Sequence, residues 1–235
     1  MLLEICASSL TSAVNAQAGG AQRIELCCNL EQGGLTPSAA TIQLAREKLT
    51  IDIFVLIRPR IGDFNYSKLE FEQMKANILF CKEIGIDGVV FGVLDNNQDI
   101  DVARNKMLVD LAKPMQTTFH RAFDCLTKPL EGLTQVIDLG FDRILTSGLA
   151  STAIEGQDLL KELIQQAADT IIILPGSGLN SQNVANFLLT TAAKEIHASA
   201  KKIIQPRVDS LFSVPYFETD HQEVERLTVL LQQFS

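Results

Sequence analysis

A regular alternation of short β-type runs and longer segments with helical periodicity is the feature that most constrains this fold. The clearest run, residues 51–57, is almost continuously β-branched or aliphatic, as in a parallel strand buried on both faces. Such runs recur about eight times, each followed by a helical segment. The pattern predicts a parallel sheet with right-handed crossovers. Eight units in 235 residues predict an α/β protein whose residues 1–235 form a single (β/α)₈ barrel domain of the TIM type.

Local signals place the individual elements. Strands are predicted at 2–6, 22–27, 51–57, 88–91, 117–120, 143–146, 171–174 and 195–198. Two helices are predicted to be capped by Thr36 and Ser181. Residues 199–219 are predicted to be a long irregular segment, and residues 221–233 a terminal helix. An open doubly wound sheet is the competing fold, but Cys6-Ala7-Ser8-Ser9 after the first strand lacks its glycine-rich fingerprint.

Composition limits the partners and the compartment. The formal net charge of -8 and the pI of about 4.9 predict that the protein does not bind nucleic acid, which requires clustered Lys and Arg. No apolar run approaches the roughly 20 residues that span a bilayer, so no membrane partner is expected. The N-terminal residues 1–6 lack the basic region of a signal peptide. Five cysteines, an odd number, then predict free thiols in the reducing cytoplasm.

Polar side chains stand at the end of almost every predicted strand. In a (β/α)₈ barrel these ends meet on one face, where active sites lie. We therefore predict a functional pocket there, although such groups could also merely cap the barrel and satisfy loop backbones. The candidate residues are Glu4, Cys6, Glu25, Cys27, Arg58, Arg60, His120, Arg121, Asp124, Thr146, Ser147, Gly176, Ser177, Gly178, His197 and Ser199.

A repeated Glu-x-Cys pattern suggests a metal site. Glu4-Ile5-Cys6 and Glu25-Leu26-Cys27 end two consecutive strands, and side chains two residues apart share a face. Neighbouring strands lie roughly 4.8 Å apart, so the thiols of Cys6 and Cys27 can approach each other and offer soft ligands to Cu(I) or Zn²⁺. The alternative is a pair of small buried residues that act as weak hydrophobes. Cys28 should face the other way, Cys81 lies on an apolar helix stripe, and the role of Cys125 stays open.

A second pattern suggests anion binding. Arg58 and Arg60 share a face if the chain around Pro59 stays extended. Gly176-Ser177-Gly178 after the seventh strand and the loop at Ser199 after the eighth occupy the usual phosphate-binding position of these barrels. A tight turn that requires positive φ is the alternative for the glycine pair.

The stretch ending the fifth strand offers acid–base chemistry. His120 could act as a general base or a ligand, and Asp124 could orient His120 or an arginine. Glu4 and Glu25 are further acid–base candidates if the barrel interior raises a pKa. A buried structural network of histidine, arginine and aspartate is an equally good interpretation of the same residues.

Taken together, these motifs resemble the CutC copper-homeostasis family over residues 1 to at least 200. The matching stretches are Gly20-Ala21-Gln22-Arg23-Ile24-Glu25-Leu26-Cys27, Gly33-Gly34-Leu35-Thr36-Pro37-Ser38, Ile57-Arg58-Pro59-Arg60, Gly62-Asp63-Phe64, Tyr66-Ser67, Thr118-Phe119-His120-Arg121-Ala122-Phe123-Asp124, Arg143-Ile144-Leu145-Thr146-Ser147-Gly148 and His197-Ala198-Ser199-Ala200. The resemblance implies a (β/α)₈ barrel, a cytoplasmic location and Cu(I) binding at the positions of Cys6 and Cys27. Two departures stand out: Ile61 occupies a usual glycine position, and Ser177 interrupts a usual triple glycine.

Two functions follow as hypotheses. The first is a copper-homeostasis protein that binds Cu(I) through Cys6 and Cys27. The second is an enzyme acting on a small phosphorylated or carboxylated metabolite. Apolar residues at 211–212 and 216–217 could close the pocket or join two subunits, which favours a homodimer.

Overall fold

In the part of the chain that the structure describes, eight parallel strands form a barrel. A computed structural model of the protein describes residues 1–206, 208, 211 and 213–234. The strands are β1 Leu2–Ala7, β2 Arg23–Leu26, β3 Asp52–Leu56, β4 Gly88–Phe91, β5 Gln116–Phe119, β6 Arg143–Thr146, β7 Ile172–Pro175 and β8 Glu195–Ala198. They are hydrogen-bonded in the order β7-β6-β5-β4-β3-β2-β1-β8, and β7 also contacts β8. The ring is therefore nearly closed, and the predicted (β/α)₈ fold is confirmed.

Among the described residues, eight α-helices surround the strands. They are α1 Leu10–Ala18, α2 Ala39–Lys48, α3 Lys68–Glu83, α4 Val102–Ala112, α5 Pro129–Leu139, α6 Gln157–Ala167, α7 Val184–Thr191 and α8 His221–Leu231. Helix α3 shows the local rules, because a Ser67–Glu70 capping box starts it and its buried residues recur at three- and four-residue spacing. No helix in the described ranges combines the length and the apolar character that crossing a bilayer requires.

Two predicted helix caps were wrong. Helix α2 is capped by Ser38, and the Thr36 hydroxyl instead accepts a hydrogen bond from the backbone N–H of Arg58 at 2.8 Å. Thr36 thereby ties the loop after β2 to the end of β3. Helix α7 follows Asn183, while the Ser181 hydroxyl donates to Glu223 of α8 at 2.9 Å. In both cases a contact with a distant segment takes the side chain away from its predicted local role.

The segment predicted to be irregular forms a β-hairpin. Strands β9 Lys201–Ile204 and β10 Tyr216–Thr219 pair in antiparallel fashion. The sequence pattern missed β9, because Lys-Lys-Ile-Ile does not alternate polar and apolar residues as a half-buried strand does. This segment becomes a strand through its pairing with β10. The hairpin is anchored on α1, where the backbone N–H of Thr219 donates to the Ser12 hydroxyl at 3.1 Å. Leu211 is 91% exposed, whereas Phe212 lies outside the described residues.

The strands bury two different surfaces. Residues such as Ile5, Ile24 and Val55 face outward and pack with the helices in the main apolar core. The other faces point into the barrel, where side chains of β2, β6 and β8 contact one another although these strands are not neighbours. The charged layer across the middle of the barrel consists of Glu4, Arg23, Phe54, Arg143 and Glu195, all buried.

Candidate functional site

Above the charged layer, the barrel interior opens into a cavity of about 400 Å³ at the C-terminal ends of the strands. Its lining consists of Cys6, Glu25, Leu30, Gly33, Leu56, Arg58, Phe64, His120, Arg121, Leu145, Ser177, Gly178, His197, Ser199 and Lys201. Most of the side chains predicted from the strand ends thus lie around one space. Phe64 and Lys201 were not among the sequence candidates, and the ring of Phe64 packs against His120 with centroids 4.7 Å apart.

Two thiols meet on one side of the barrel interior. Cys6 and Cys27 are both buried, and their Sγ atoms are 3.6 Å apart. The parallel register causes this approach, because Cys6 of β1 lies opposite Glu25 of β2 and Cys27 follows two residues later. The contact with Cys27, together with burial, raises the pKa of the Cys6 thiol well above its usual value. The Cys6 thiol is therefore protonated at neutral pH.

The other cysteines lie apart from this pair. Cys28 faces away, as predicted, and its thiol donates to the carbonyl of Thr36 at 3.4 Å. Cys81 belongs to the apolar core, and Cys125 is exposed. All five are free thiols.

His197 lies between two carboxylates. Its Nδ1 is 2.7 Å from Oε1 of Glu4, and its Nε2 is 3.9 Å from Oε2 of Glu25. Burial alone would lower the pKa of His197, but contacts with Cys6, Glu4 and Glu25 outweigh it and raise that pKa well above 6.5. Burial also raises the pKa of Glu25. The result is a protonated imidazole beside a carboxylate that holds a proton more readily than usual, an arrangement suited to moving protons.

The charged layer supports His197 from below. Arg23 donates from Nε to Glu4 and from a terminal nitrogen to Glu195, both at 2.5 Å, and Arg143 donates to Glu195 at 2.9 Å. Burial alone would raise the pKa of Glu4, but Arg23 and His197 together outweigh this and lower it to about 2. Both guanidinium groups lie over the ring of Phe54, at 4.8 and 5.1 Å from its centroid.

Sequence reasoning missed three charged members of this layer, namely Arg23, Arg143 and Glu195, as well as Phe54. A signal existed, because Arg23 and Glu195 precede the candidates Glu25 and His197 by two residues and so share their strand faces. Glycine at position 88 makes room for the layer, since a Cβ there would lie 2.6 Å from the ring of Phe54.

His120 differs sharply from His197. It is 4% exposed, and its Nδ1 accepts a hydrogen bond from the backbone N–H of Ala122 at 3.2 Å. Burial and the positive charge of Arg58 lower the pKa of His120 to about 3. The neutral ring therefore carries its proton on Nε2, which is buried without a hydrogen-bond partner in the described part of the chain. His120 offers a donor to the cavity and is a weak base at neutral pH.

Asp124 orients an arginine, one of its two predicted roles. It accepts hydrogen bonds from Nε of Arg121 at 2.7 Å, from the Thr146 hydroxyl at 2.5 Å and from the Ser147 backbone and hydroxyl, both at 3.1 Å. Arg121 also donates to the Ser147 hydroxyl at 2.9 Å. Thr146 and Ser147 thus hold Asp124, which in turn holds Arg121 at the cavity wall.

The two arginines after β3 separate. Arg58 lines the cavity and donates to the carbonyls of Gln32, Gly34 and Gly62 at 2.9 to 3.1 Å. Arg60 is not part of the lining, because it forms ion pairs with Asp63 and Glu70, each at 2.8 Å. The expectation that both face one pocket was wrong for Arg60, since the backbone bends at residues 60–62 and does not stay extended.

The loop after β7 contains the predicted tight turn. Ser177 and Gly178 have φ values of 80° and 79°, and both line the cavity. The Ser177 hydroxyl donates to the carbonyl of Ser151 at 2.9 Å. Gly176 lies between β6 and β8, where a Cβ would come within 2.7 Å of Leu145 and 3.2 Å of His197. Glycine at 176 therefore lets β7 approach β8 beside His197.

Comparison with known proteins identifies the family. The model of the CutC family matches residues 1–202, a range that contains every residue of the cavity lining. The chain belongs to the CutC family. A CutC-family protein of Chromobacterium violaceum is 48% identical over 200 residues, which cover 85% of this chain and 81% of the relative. The human copper homeostasis protein cutC homolog is 46% identical over 200 residues, covering 85% and 73% of the two chains.

A solved structure supports the same assignment. The copper homeostasis protein CutC of Streptococcus agalactiae superposes with a TM-score of 0.81 at 33% identity, covering 85% of this chain and 98% of the other. The human relative and the Streptococcus agalactiae protein are both named as copper homeostasis proteins, and this chain shares the sequence pattern and the barrel of the CutC family. Hairpin strand β10 and helix α8 lie beyond the range of the family model.

Proposed function

We propose that this protein binds Cu(I) through the sulfurs of Cys6 and Cys27 and takes part in copper homeostasis in the cytoplasm. The observation that carries this proposal is the 3.6 Å separation of the two Sγ atoms beside the cavity. Thiolates are the ligands that Cu(I) prefers, and metal–sulfur bonds of about 2.3 Å allow one ion to contact both atoms. A reducing compartment suits the site, because both thiols must stay reduced to bind. Copper is here the bound cargo and not a cofactor of a reaction.

The test is an anaerobic Cu(I) titration against a competing chelator. We expect Cys6→Ser with Cys27→Ser to weaken Cu(I) affinity at least tenfold, since two soft ligands are replaced by hydroxyls. Cys125→Ser, which removes an exposed thiol, is the matched control and should keep the affinity of the unmodified protein. Undiminished Cu(I) affinity in the double variant would show that the two sulfurs do not form the site.

A second function is favoured by the charges around the cavity. Arg58, Arg121 and Lys201 line it together with the protonated His197. The unpartnered Nε2–H of His120 adds a buried donor. Cations and donors that converge on a concave site suit a small phosphorylated or carboxylated metabolite. We propose that the protein acts on such a molecule as an enzyme, with Glu25 and His197 as the groups that move protons.

Arg121 provides the prediction for this second function. Among phosphorylated and carboxylated metabolites, we expect at least one to raise the melting temperature of the protein in a thermal-shift screen. Arg121→Gln should weaken its binding roughly 10- to 150-fold, because a charge-assisted hydrogen bond contributes about 1.5–3 kcal/mol. Lys161→Gln, on the exposed face of α6, is the charge-matched control. If no metabolite of either class stabilises the protein, this function is excluded.

A further inference from the structure

We propose that Cys6, Glu25 and His197 form a site for a divalent metal ion of the zinc class at the floor of the cavity. The three residues come from the neighbouring strands β1, β2 and β8, and all three are buried. One ligand atom from each, a sulfur, a carboxylate oxygen and an imidazole nitrogen, lies within 4.8 Å of the other two. This site shares Cys6 with the proposed Cu(I) site, but Glu25 and His197 carry it, so it does not depend on that proposal. In the metal-bound protein Glu25 and His197 would be ligands, so the proton transfer proposed for them belongs to the metal-free protein.

His197 and Glu25 make no direct hydrogen bond, because Nε2 and Oε2 are 3.9 Å apart. Zinc–nitrogen and zinc–oxygen bonds are each about 2.0–2.2 Å, so a four-coordinate ion bound to both atoms would hold them roughly 3.3–3.5 Å apart. The two side chains would therefore move together by about half an ångström when the ion binds. The competing interpretation is a metal-free network in which the Cys6 thiol interacts with both His197 and Glu25, and a Co²⁺ titration distinguishes the two.

The neighbours of His197 have the arrangement that metal-binding histidines use. A metal-binding imidazole almost always donates its other ring N–H to a carboxylate, which fixes the ring and the tautomer. Here Nδ1 is 2.7 Å from Oε1 of Glu4, which leaves Nε2 for the metal. Glu4 is itself fixed by Arg23 at 2.5 Å. The carboxylate that would orient His197 as a metal ligand is therefore already in place.

The donor set selects the class of metal. One thiolate, one imidazole and one carboxylate form a borderline set that suits Zn²⁺, with Co²⁺ as its spectroscopic substitute, better than the oxygen-preferring Mg²⁺ or Ca²⁺. Three protein ligands with a fourth position free are typical of catalytic zinc sites. All three residues line the cavity, so the free position faces the space bordered by Arg58 and Arg121. An anionic molecule held by those arginines would lie beside the metal.

A Co²⁺ titration of the reduced full-length protein tests the proposal without any variant. We expect saturation at one ion per chain, visible d–d bands of a four-coordinate ion and a near-ultraviolet thiolate-to-cobalt charge-transfer band. Added Zn²⁺ should displace the cobalt and remove these bands. A titration that shows no thiolate-to-cobalt band would overturn the proposal.

Variants separate this site from the proposed copper site. Glu25→Gln and His197→Gln should each weaken Co²⁺ binding at least tenfold while Cu(I) affinity changes less than threefold. Cys27→Ser should weaken Cu(I) binding at least tenfold while Co²⁺ affinity changes less than threefold. Cys28→Ser, which alters a thiol facing away, should leave both affinities unchanged. Loss of Co²⁺ in Cys27→Ser with full retention in Glu25→Gln would mean that the ion sits on the two sulfurs, and the proposal would be wrong. If His197→Gln fails to fold, Glu25→Gln and the spectrum of the unmodified protein decide.

Discussion

Replacing Arg23 by alanine is expected to reduce the free energy of unfolding by about 3–5 kcal/mol, because breaking a buried ion pair leaves an uncompensated charge. Arg23 and Glu4 are each 1% exposed, and Arg23 bonds both Glu4 and Glu195 at 2.5 Å. Its removal leaves two buried carboxylates with one fewer positive partner each, since Glu4 keeps only His197 and Glu195 only Arg143 among the described residues. The second effect is on His197, since Glu4 would lose the group that holds it in place.

The measurement for Arg23→Ala is urea unfolding followed by circular dichroism, which suits a chain without tryptophan. Lys106→Ala is the control, because it breaks an exposed ion pair with Asp110 and should cost less than about 0.5 kcal/mol. An equally small change for Arg23→Ala would mean that the charged layer contributes little to stability.

Replacing His120 by asparagine is expected to make the protein markedly more resistant to acid. The folded-state pKa of His120 is about 3, far below the ordinary 6.5. As the pH falls from 6.5 towards 3, the unfolded chain therefore binds a proton at this residue, whereas the folded protein does not. Stability that is present above pH 6.5 is lost at up to about 1.36 kcal/mol per pH unit, or roughly 4–5 kcal/mol over the whole window. Asparagine can still accept the Ala122 hydrogen bond but has no proton to gain.

The check is the slope of the unfolding free energy between pH 6 and 4.5, compared between His120→Asn and the unmodified protein. This window lies above the region where Glu4, with its pKa of about 2, loses its own contribution. The comparison also cancels the carboxylates that both proteins share. His221→Asn, which removes an exposed histidine at the start of α8, is the control. Equal slopes in His120→Asn and the unmodified protein would contradict a depressed pKa.

The fold was predictable because its signals are local. Each strand and helix of the barrel has its own periodicity, and the repeated Glu-x-Cys on consecutive strands sufficed to bring Cys6 and Cys27 together. The charged layer was not predictable in this way, because Arg143 of β6, Glu195 of β8 and Arg23 of β2 meet only across the interior. The prediction that Arg60 faces the cavity was wrong for a related reason, because a bend of three residues sets the direction of its side chain.

The pKa shifts of the two cavity histidines were even harder to predict from the sequence. His120 and His197 both follow or end a strand, and nothing in their flanking residues separates them. Burial lowers the pKa of both, and Arg58 lowers that of His120 further, whereas Cys6, Glu4 and Glu25 reverse the direction at His197. The difference therefore depends on groups carried by other strands, which only the folded barrel brings into contact.

The charged layer also closes one end of the barrel interior. Glu4, Arg23, Phe54, Arg143 and Glu195 contact one another across the barrel interior, and each is at most 7% exposed. A ligand of the cavity would then enter and leave at the C-terminal ends of the strands, where Arg121 and Lys201 line it. A donor and an acceptor of the same cargo would therefore compete for one face of the protein, and the hairpin that carries Lys201 stands at the edge of that face.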